Sequence, residues 1–211
     1  MVVVYRWLPV GITPLMVIRC ANQIAEGEAP RLRHKWVKME EISPNLIVAV
    51  VASEDQKFLD HHGFDFEAIE EAVDEQMAGG RRRGGSTISQ QTAKNVFLWP
   101  ESSWLRKGLE AYFTVWIELV WGKERIMEVY LNSIEMGDGI YGAEAVAVAN
   151  FGVRASDLSK SQCALIAATL PNPLRFSSKE PSNYMLKRQA SILKQMRNVE
   201  PGLGELIGER N

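Results

Sequence analysis

From residue 43 onward the apolar residues of this chain recur at three- and four-residue intervals, and runs that alternate apolar with polar residues are scarce. Ser43-Pro44 reads as an N-cap with proline at the first helical position, and residues 46–52 are apolar on every face, the mark of a buried helix. This helix is expected to run on through Ser53, Glu54 and Asp55 and to stop near Gly63. A second is expected over 66–77, followed by a mobile glycine- and arginine-rich stretch over 78–85. Ser86 or Thr87 caps a helix to about residue 97, which Trp99-Pro100 breaks. Residues 103–121 predict a long amphipathic helix with Leu105, Leu109, Tyr112, Phe113, Trp116, Leu119 and Val120 on its apolar stripe, ended by Gly122. Short helices are expected over 123–132 and 141–150. Ser159-x-x-Gln162 is a capping box for another over 163–170, which Pro171 and Pro173 terminate, and a last helix covers 182–198. The pattern predicts an all-α fold.

The 211 residues allow one domain with a short appendage. At 46% hydrophobic and 24% charged residues the chain can bury a sizeable core. Residues 1–29 form an N-terminal segment, 30–199 the domain and 200–211 a tail. The longest charge-free run near the start, residues 7–18, has 12 residues, short of the ~20 that span a bilayer as a helix. Its prolines also fit a signal peptide poorly. An interfacial segment with Tyr5 and Trp7 at headgroup depth, the end of a membrane anchor, and an apolar arm packed on the domain all remain open. Cys20 and Cys163 make neither a disulfide framework nor a paired-cysteine zinc site.

The net charge of −2 excludes a protein whose whole surface binds nucleic acid, yet it hides a segregation. Residues 39–75 carry eleven acids and one base, and residues 76–109 six bases and one acid. Two solvated faces attracting each other account for such blocks as well as a binding site does.

Three clusters can carry chemistry. Glu54 ends an apolar helix, so burial and the negative end of the helix dipole both make its carboxylate a better proton acceptor. Gly84-Gly85-Ser86-Thr87 enters a helix whose free N–H groups suit an anion, with Gln90 and Lys94 adding donors on one face. The spacing is not that of a Walker phosphate loop, so no nucleotide is implied. Arg106 and Lys107 lie four and three residues before Glu110, a local ion pair or a second carboxylate held beside anion-binding cations. Glu54 and Glu110 then match the two-carboxylate logic of glycosyl chemistry. Residues 123–132 and 137–142 read as helix packing. His61-His62 is a packing and hydrogen-bonding element, and no His, Asp or Glu cluster has metal-ligand spacing.

Five segments in order resemble the monofunctional peptidoglycan glycosyltransferases, family 51 of the glycosyltransferases. They are Glu54-Asp55-x2-Phe58-x2-His61-x-Gly63, GGSTISQQTAKN ending at Asn95, RKGLE ending at Glu110, KERIMEVYLN ending at Asn132 and GDGIYGAEA ending at Ala145, with Leu170-Pro171-Asn172-Pro173 in addition. The resemblance covers residues 30–198. It implies a lysozyme-like, two-lobed fold with a membrane-proximal lobe, placed on the periplasmic side of the bacterial inner membrane, polymerising lipid II. Glu54 is implied as the base that deprotonates the acceptor sugar's 4-hydroxyl, and Glu110 as the second carboxylate, supporting departure of the lipid pyrophosphate. Ser86, Gln90, Gln91, Lys94, Asn95, Arg106 and Lys107 are implied in pyrophosphate and sugar binding, with Asp55, Phe58, His61, Gly63, Gly84, Gly85 and Thr87 in support. The resemblance also implies a divalent cation, Mg or Mn, membrane contact and cell-wall synthesis partners, and no nucleic acid.

The chain departs from the family pattern in three places. Ser102 stands where many members carry arginine, leaving Arg81, Arg82 or Arg83 as replacements, and Asn150-Phe151-Gly152-Val153 replaces Tyr-Phe-Gly-Lys, with Arg154 as a substitute for the lysine. The usual transmembrane helix is at most a remnant here. Two other readings compete: a lysozyme-like hydrolase or lytic transglycosylase, and a non-catalytic envelope protein binding anionic lipid or nucleic acid through Arg81 to Arg83.

Overall fold

The computed structural model describes residues 1–68, 70, 85–204 and 206–207. Nine α-helices are named here in chain order: α1 (Val2–Tyr5), α2 (Pro14–Ala25), α3 (Pro44–Glu54), α4 (Ile88–Phe97), α5 (Trp104–Val120), α6 (Lys123–Ser133), α7 (Ala143–Val146), α8 (Lys160–Thr169) and α9 (Asn183–Val199). The expected helix over 66–77 is seen at residues 66–68 and 70, and residues 69 and 71–77, with the arginines 81–83 and Gly84, lie outside the described residues.

Helix α3 is the axis of the fold. Residues 46–52 are all at most 2% exposed, because α8 and α9 close over two sides and the core continues around the others. Helices α4, α5 and α6 form a second group, with α2 laid on α4. One contiguous apolar core runs through both groups, so the two helical lobes are halves of one folding unit. Leu203 and Leu206, beyond α9, are buried in that core as well. The N-terminal segment is fastened to the second group, where the Arg125 guanidinium donates to the Tyr5 and Leu8 carbonyls and the Trp121 indole N–H to Val2.

Three expectations are corrected. Helix α3 ends at Glu54, and Asp55 takes a non-helical conformation (φ −161°, ψ 79°) instead of continuing toward Gly63. Ser43 precedes α3, but its hydroxyl donates to the Leu158 carbonyl rather than capping the helix. Residues 141–150 split into α7 and a π-helical turn (Ala147–Phe151) that Gly152 closes, while Tyr141 belongs to a strand. That strand, β3 (Ile140–Tyr141), pairs in parallel with β1 (Arg33–His34) and antiparallel with β2 (Glu135–Gly137). The turn between β2 and β3 demands glycine at 139, where φ is +66° and a Cβ would lie 2.4 Å from the Arg31 carbonyl oxygen.

The apolar stripe of α5 is divided. Phe113 and Val120 pack against the core and Leu109 is half-buried, but Leu105, Tyr112, Trp116 and Leu119 point outward, with Trp104, and the fully buried face holds Arg106, Glu110, Thr114 and Ile117. Among the described residues no helix is long and apolar enough to cross a membrane.

Because Leu46 is fully buried at the start of α3, Leu46→Ala is expected to cost about 2–5 kcal/mol, measured as a lower urea midpoint with an unchanged slope.

Candidate active site

The site grows from the end of α3. Asp55, which caps α3, is 7% exposed, and its Oδ2 accepts from the backbone N–H of Ile88, the first residue of α4, at 2.9 Å. His61 Nε2 donates to the same carboxylate at 3.0 Å, and its Nδ1 accepts from the Gly63 N–H at 3.1 Å, which assigns the ring proton to Nε2. The Gly63 carbonyl receives the Thr87 hydroxyl at 2.7 Å. Thr87, not Ser86, caps α4, in a reciprocal capping box with Gln90. Phe58 is buried edge-on to His61, with Lys123 Nζ 4.6 Å from its ring centroid. Gly63 has φ +89°, and a Cβ there would stand 2.7 Å from the Thr114 methyl and 3.0 Å from Glu118 Cγ. These contacts dock the end of α3, the start of α4 and one flank of α5 against one another.

That docking sets Glu54 beside Gln91. The Gln91 Nε2 donates to Glu54 Oε2 at 3.1 Å and the Ser53 hydroxyl to Oε1 at 3.3 Å. Burial raises the Glu54 pKa above its ordinary 4.5, outweighing the stabilising hydrogen bonds and the Arg188 charge. The carboxylate is therefore a stronger proton acceptor than one in water.

The second carboxylate lies on the inner face of α5. Glu110 is 3% exposed, and its two oxygens accept from Arg106, at 2.7 Å, and from Lys107. Lys94, half-buried on α4, lies in the fields of both Glu110 and Glu54, and burial lowers its pKa. With Gln91 and Asn95 it lines a cleft of about 240 Å³, whose other walls include Arg19 and Leu15 from α2 and residues 170–174. Lys94 thus feels the charge of both carboxylates from the wall of a cleft that Gln91, the partner of Glu54, also lines. Arg106 Nε is buried without a hydrogen-bond acceptor among the described residues.

This arrangement coincides with a family match. A model of a family described as transglycosylase matches residues 21–197. The chain belongs to the transglycosylase family. A biosynthetic peptidoglycan transglycosylase of Bacteroides thetaiotaomicron is 63% identical over 198 residues, 94% of this chain and 80% of the relative. Proteins of the same name from Bdellovibrio bacteriovorus (52% over 200 residues, 95% and 80%) and Caulobacter vibrioides (55% over 191 residues, 90% and 81%) are also similar.

Within this transglycosylase the residues read from the sequence take unequal places. Glu54, Gln91, Lys94, Asn95, Arg106, Lys107 and Glu110 gather as described. Gln90 is engaged through its amide oxygen in the cap of α4, and Asp55, His61, Gly63 and Thr87 in the junction beneath. Gly85 and Ser86 are half-buried at the mouth of α4, where the Ser86 carbonyl accepts from Gln91. Ser102 is exposed, and Arg154 is exposed and paired with Asp157, in the field of Glu144 and Glu41 rather than of the two catalytic candidates. Asn150 donates to the buried Ser178 hydroxyl.

Sequence reasoning missed Tyr130, Arg188 and Arg19. Tyr130 sits in the segment ending at Asn132, which carries the resemblance but whose residues read as helix packing, Arg188 on a helix read only for packing, and Arg19 in a segment read for membrane contact. The Arg19 and Arg188 Nε atoms are buried without acceptors among the described residues, a signal that only side-chain placement reveals. No group of three His, Cys, Asp or Glu among the described residues could hold a metal ion. Asp55 is committed to Ile88 and His61, and Glu110 to two cations.

A raised folded-state pKa means that the native state binds more protons than the unfolded state, so Glu54 lowers stability as pH rises above 4.5. Glu54→Gln is therefore expected to be more stable than wild type at pH 7, by about 1.4 kcal/mol per tenfold change in proton affinity. Urea titrations across pH should show the gap closing as pH falls toward 4.5 and gone below it.

Proposed function

We infer that this chain is a peptidoglycan glycosyltransferase that polymerises lipid II. The observation that carries the reading is Lys94 standing in the field of both Glu54 and Glu110 on the cleft wall, in a chain that belongs to the transglycosylase family. Glu54 takes the proton from the 4-hydroxyl of the acceptor sugar. The freed oxygen attacks the anomeric carbon of the lipid-linked donor chain from the face opposite the pyrophosphate, forming a β-1,4 bond with inversion. The carbon–oxygen bond to the pyrophosphate breaks, and its electron pair leaves with the undecaprenyl pyrophosphate. Lys94, Arg106 and Lys107 bear the charge of that leaving group, and Glu110 holds Arg106 and Lys107 in position for it. The buried Arg106 Nε, without a protein acceptor among the described residues, suits a phosphate oxygen. A hydrolase would need no such gathering of cations on Glu110, and the curated relatives bear biosynthetic names.

Making peptidoglycan is work of the cell envelope. The catalytic domain is placed on the periplasmic side of the inner membrane, where its lipid-linked substrate lies. Support comes from the outward stripe of α5 and from Val3, Val4, Trp7 and Leu8 of the segment fastened to the end of α5, all exposed. Tryptophans and aliphatic side chains of this kind settle at a bilayer surface.

Glu54→Gln, folded by circular dichroism, is expected to lose polymerisation of labelled lipid II by at least about a hundredfold, as removal of a general base does. Wild-type-like polymer from this variant, or shortening of purified glycan strands by the wild type, contradicts the assignment.

Replacing Leu105 and Leu119 with glutamate is expected to weaken flotation with phosphatidylglycerol-containing vesicles several-fold. Because both side chains are mostly exposed, the unfolding free energy from urea titration should change by no more than about 0.5 kcal/mol per substitution.

A further inference from the structure

We propose that Tyr130 is a positioning residue for Glu54, its hydroxyl holding the Gln91 side chain so that the amide N–H faces the Glu54 carboxylate. The contacts form a chain across three helices. Tyr130 on α6 donates from its hydroxyl to Gln91 Oε1 at 3.1 Å, and Gln91 on α4 donates from Nε2 to Glu54 Oε2 on α3 at 3.1 Å.

The direction of each bond follows from what each atom can do. Gln91 Nε2 also lies 3.4 Å from the Ser86 carbonyl, which only accepts, so the amide nitrogen belongs at the Glu54 end and the amide oxygen at the Tyr130 end. Tyr130 is 1% exposed, and burial together with the fields of Glu54 and Asp55 keeps its phenol protonated far above the ordinary range. A buried phenol that cannot ionise always has a proton to give, and the amide oxygen is where that proton goes. Turned end for end, Gln91 would place its oxygen against Glu54, where it repels the carboxylate and accepts from the protonated acid. The chosen orientation favours the ionised, proton-accepting form.

The other groups facing Glu54 are Arg188 on α9, Lys94 on α4, and Asp55 and Ser53 on its own element. Arg188, Lys94 and Asp55 act on Glu54 through their charge, and Ser53 is adjacent to it in sequence. Gln91 is the neutral donor brought from another helix, and among the described contacts it is the Tyr130 hydroxyl that engages the far end of its amide.

The proposal rests on Glu54 being the base, and the test separates the two. The Glu54 carboxylate is titrated by carbon-13 NMR in glutamate-labelled full-chain protein, with Glu54→Gln assigning the resonance, and the acid limb of kcat/KM for lipid II is followed in parallel. Tyr130→Phe keeps the buried ring and removes only the hydroxyl. Its Glu54 titration and its acid limb are expected to move to higher pH by about half a unit to one unit, with KM little changed. In a Gln91→Ala background, Tyr130→Phe should leave the carbon-13 titration where Gln91→Ala alone puts it. A merely structural hydroxyl lowers stability but moves neither curve. An unmoved Glu54 titration in folded Tyr130→Phe, or an equal shift with and without Gln91, overturns the proposal. Should Glu54→Gln polymerise like wild type, the assignment of the base fails, and the NMR titration, which needs no turnover, still decides on Tyr130.

Discussion

The buried hydrogen bond from the Ile88 N–H to the Asp55 carboxylate joins two helices that carry separate halves of the candidate site. Helix α3 delivers Glu54 on its last turn, and α4 delivers Gln91 and Lys94 on its first two. Without an acceptor at Asp55, the first N–H of α4 would be an orphan donor in a dry junction, costing about 1–3 kcal/mol, and the two helix ends would have no reason to meet at this distance. His61, Gly63 and Thr87 then complete the loop of contacts, so that the position of one carboxylate fixes the other end of the site. Asp55, next in sequence to Glu54, is structural, its carboxylate spent on Ile88 and His61.

The cleft balances two opposed electrostatic demands. A base gains proton affinity when it is desolvated, whereas a site for a diphosphate leaving group needs cations. Placed side by side without separation, the cations would cancel the effect of burial on Glu54. Here the strongest cation clamp is committed to Glu110, which takes both Arg106 and Lys107, and burial still dominates at Glu54. Lys94 is shared, and its own affinity for a proton is lowered by the same dry surroundings.

Most helices were legible because their signals are local: Thr87 with Gln90, Ser159 with Gln162 and Ser182 before α9 each bond within three residues. The candidate site was legible where its residues cluster in sequence, as do Glu54, the segment ending at Asn95, and Arg106 to Glu110. Two kinds of feature were hidden. Periodicity assigns an apolar stripe to the interior on the premise that the interior is apolar, and on α5 the interior is the polar site itself, with Glu110 and Arg106 facing inward. Partners far apart in sequence leave no spacing to read, which is why Tyr130 passed for a packing residue 39 positions from Gln91. The small sheet was missed for a related reason, since β1 and β3 are two-residue strands held by pairing alone.

Position 63 shows how narrowly such a junction can drift over evolutionary time. Its backbone dihedral excludes other residues, and independently the Thr114 methyl and Glu118 occupy the space that a side chain would need. Trimming Thr114 to serine would clear the methyl but leave the dihedral strained, and relaxing the loop would pull the Gly63 carbonyl away from Thr87. The dihedral and the packing thus constrain this position separately, and a change that relieves one leaves the other in place.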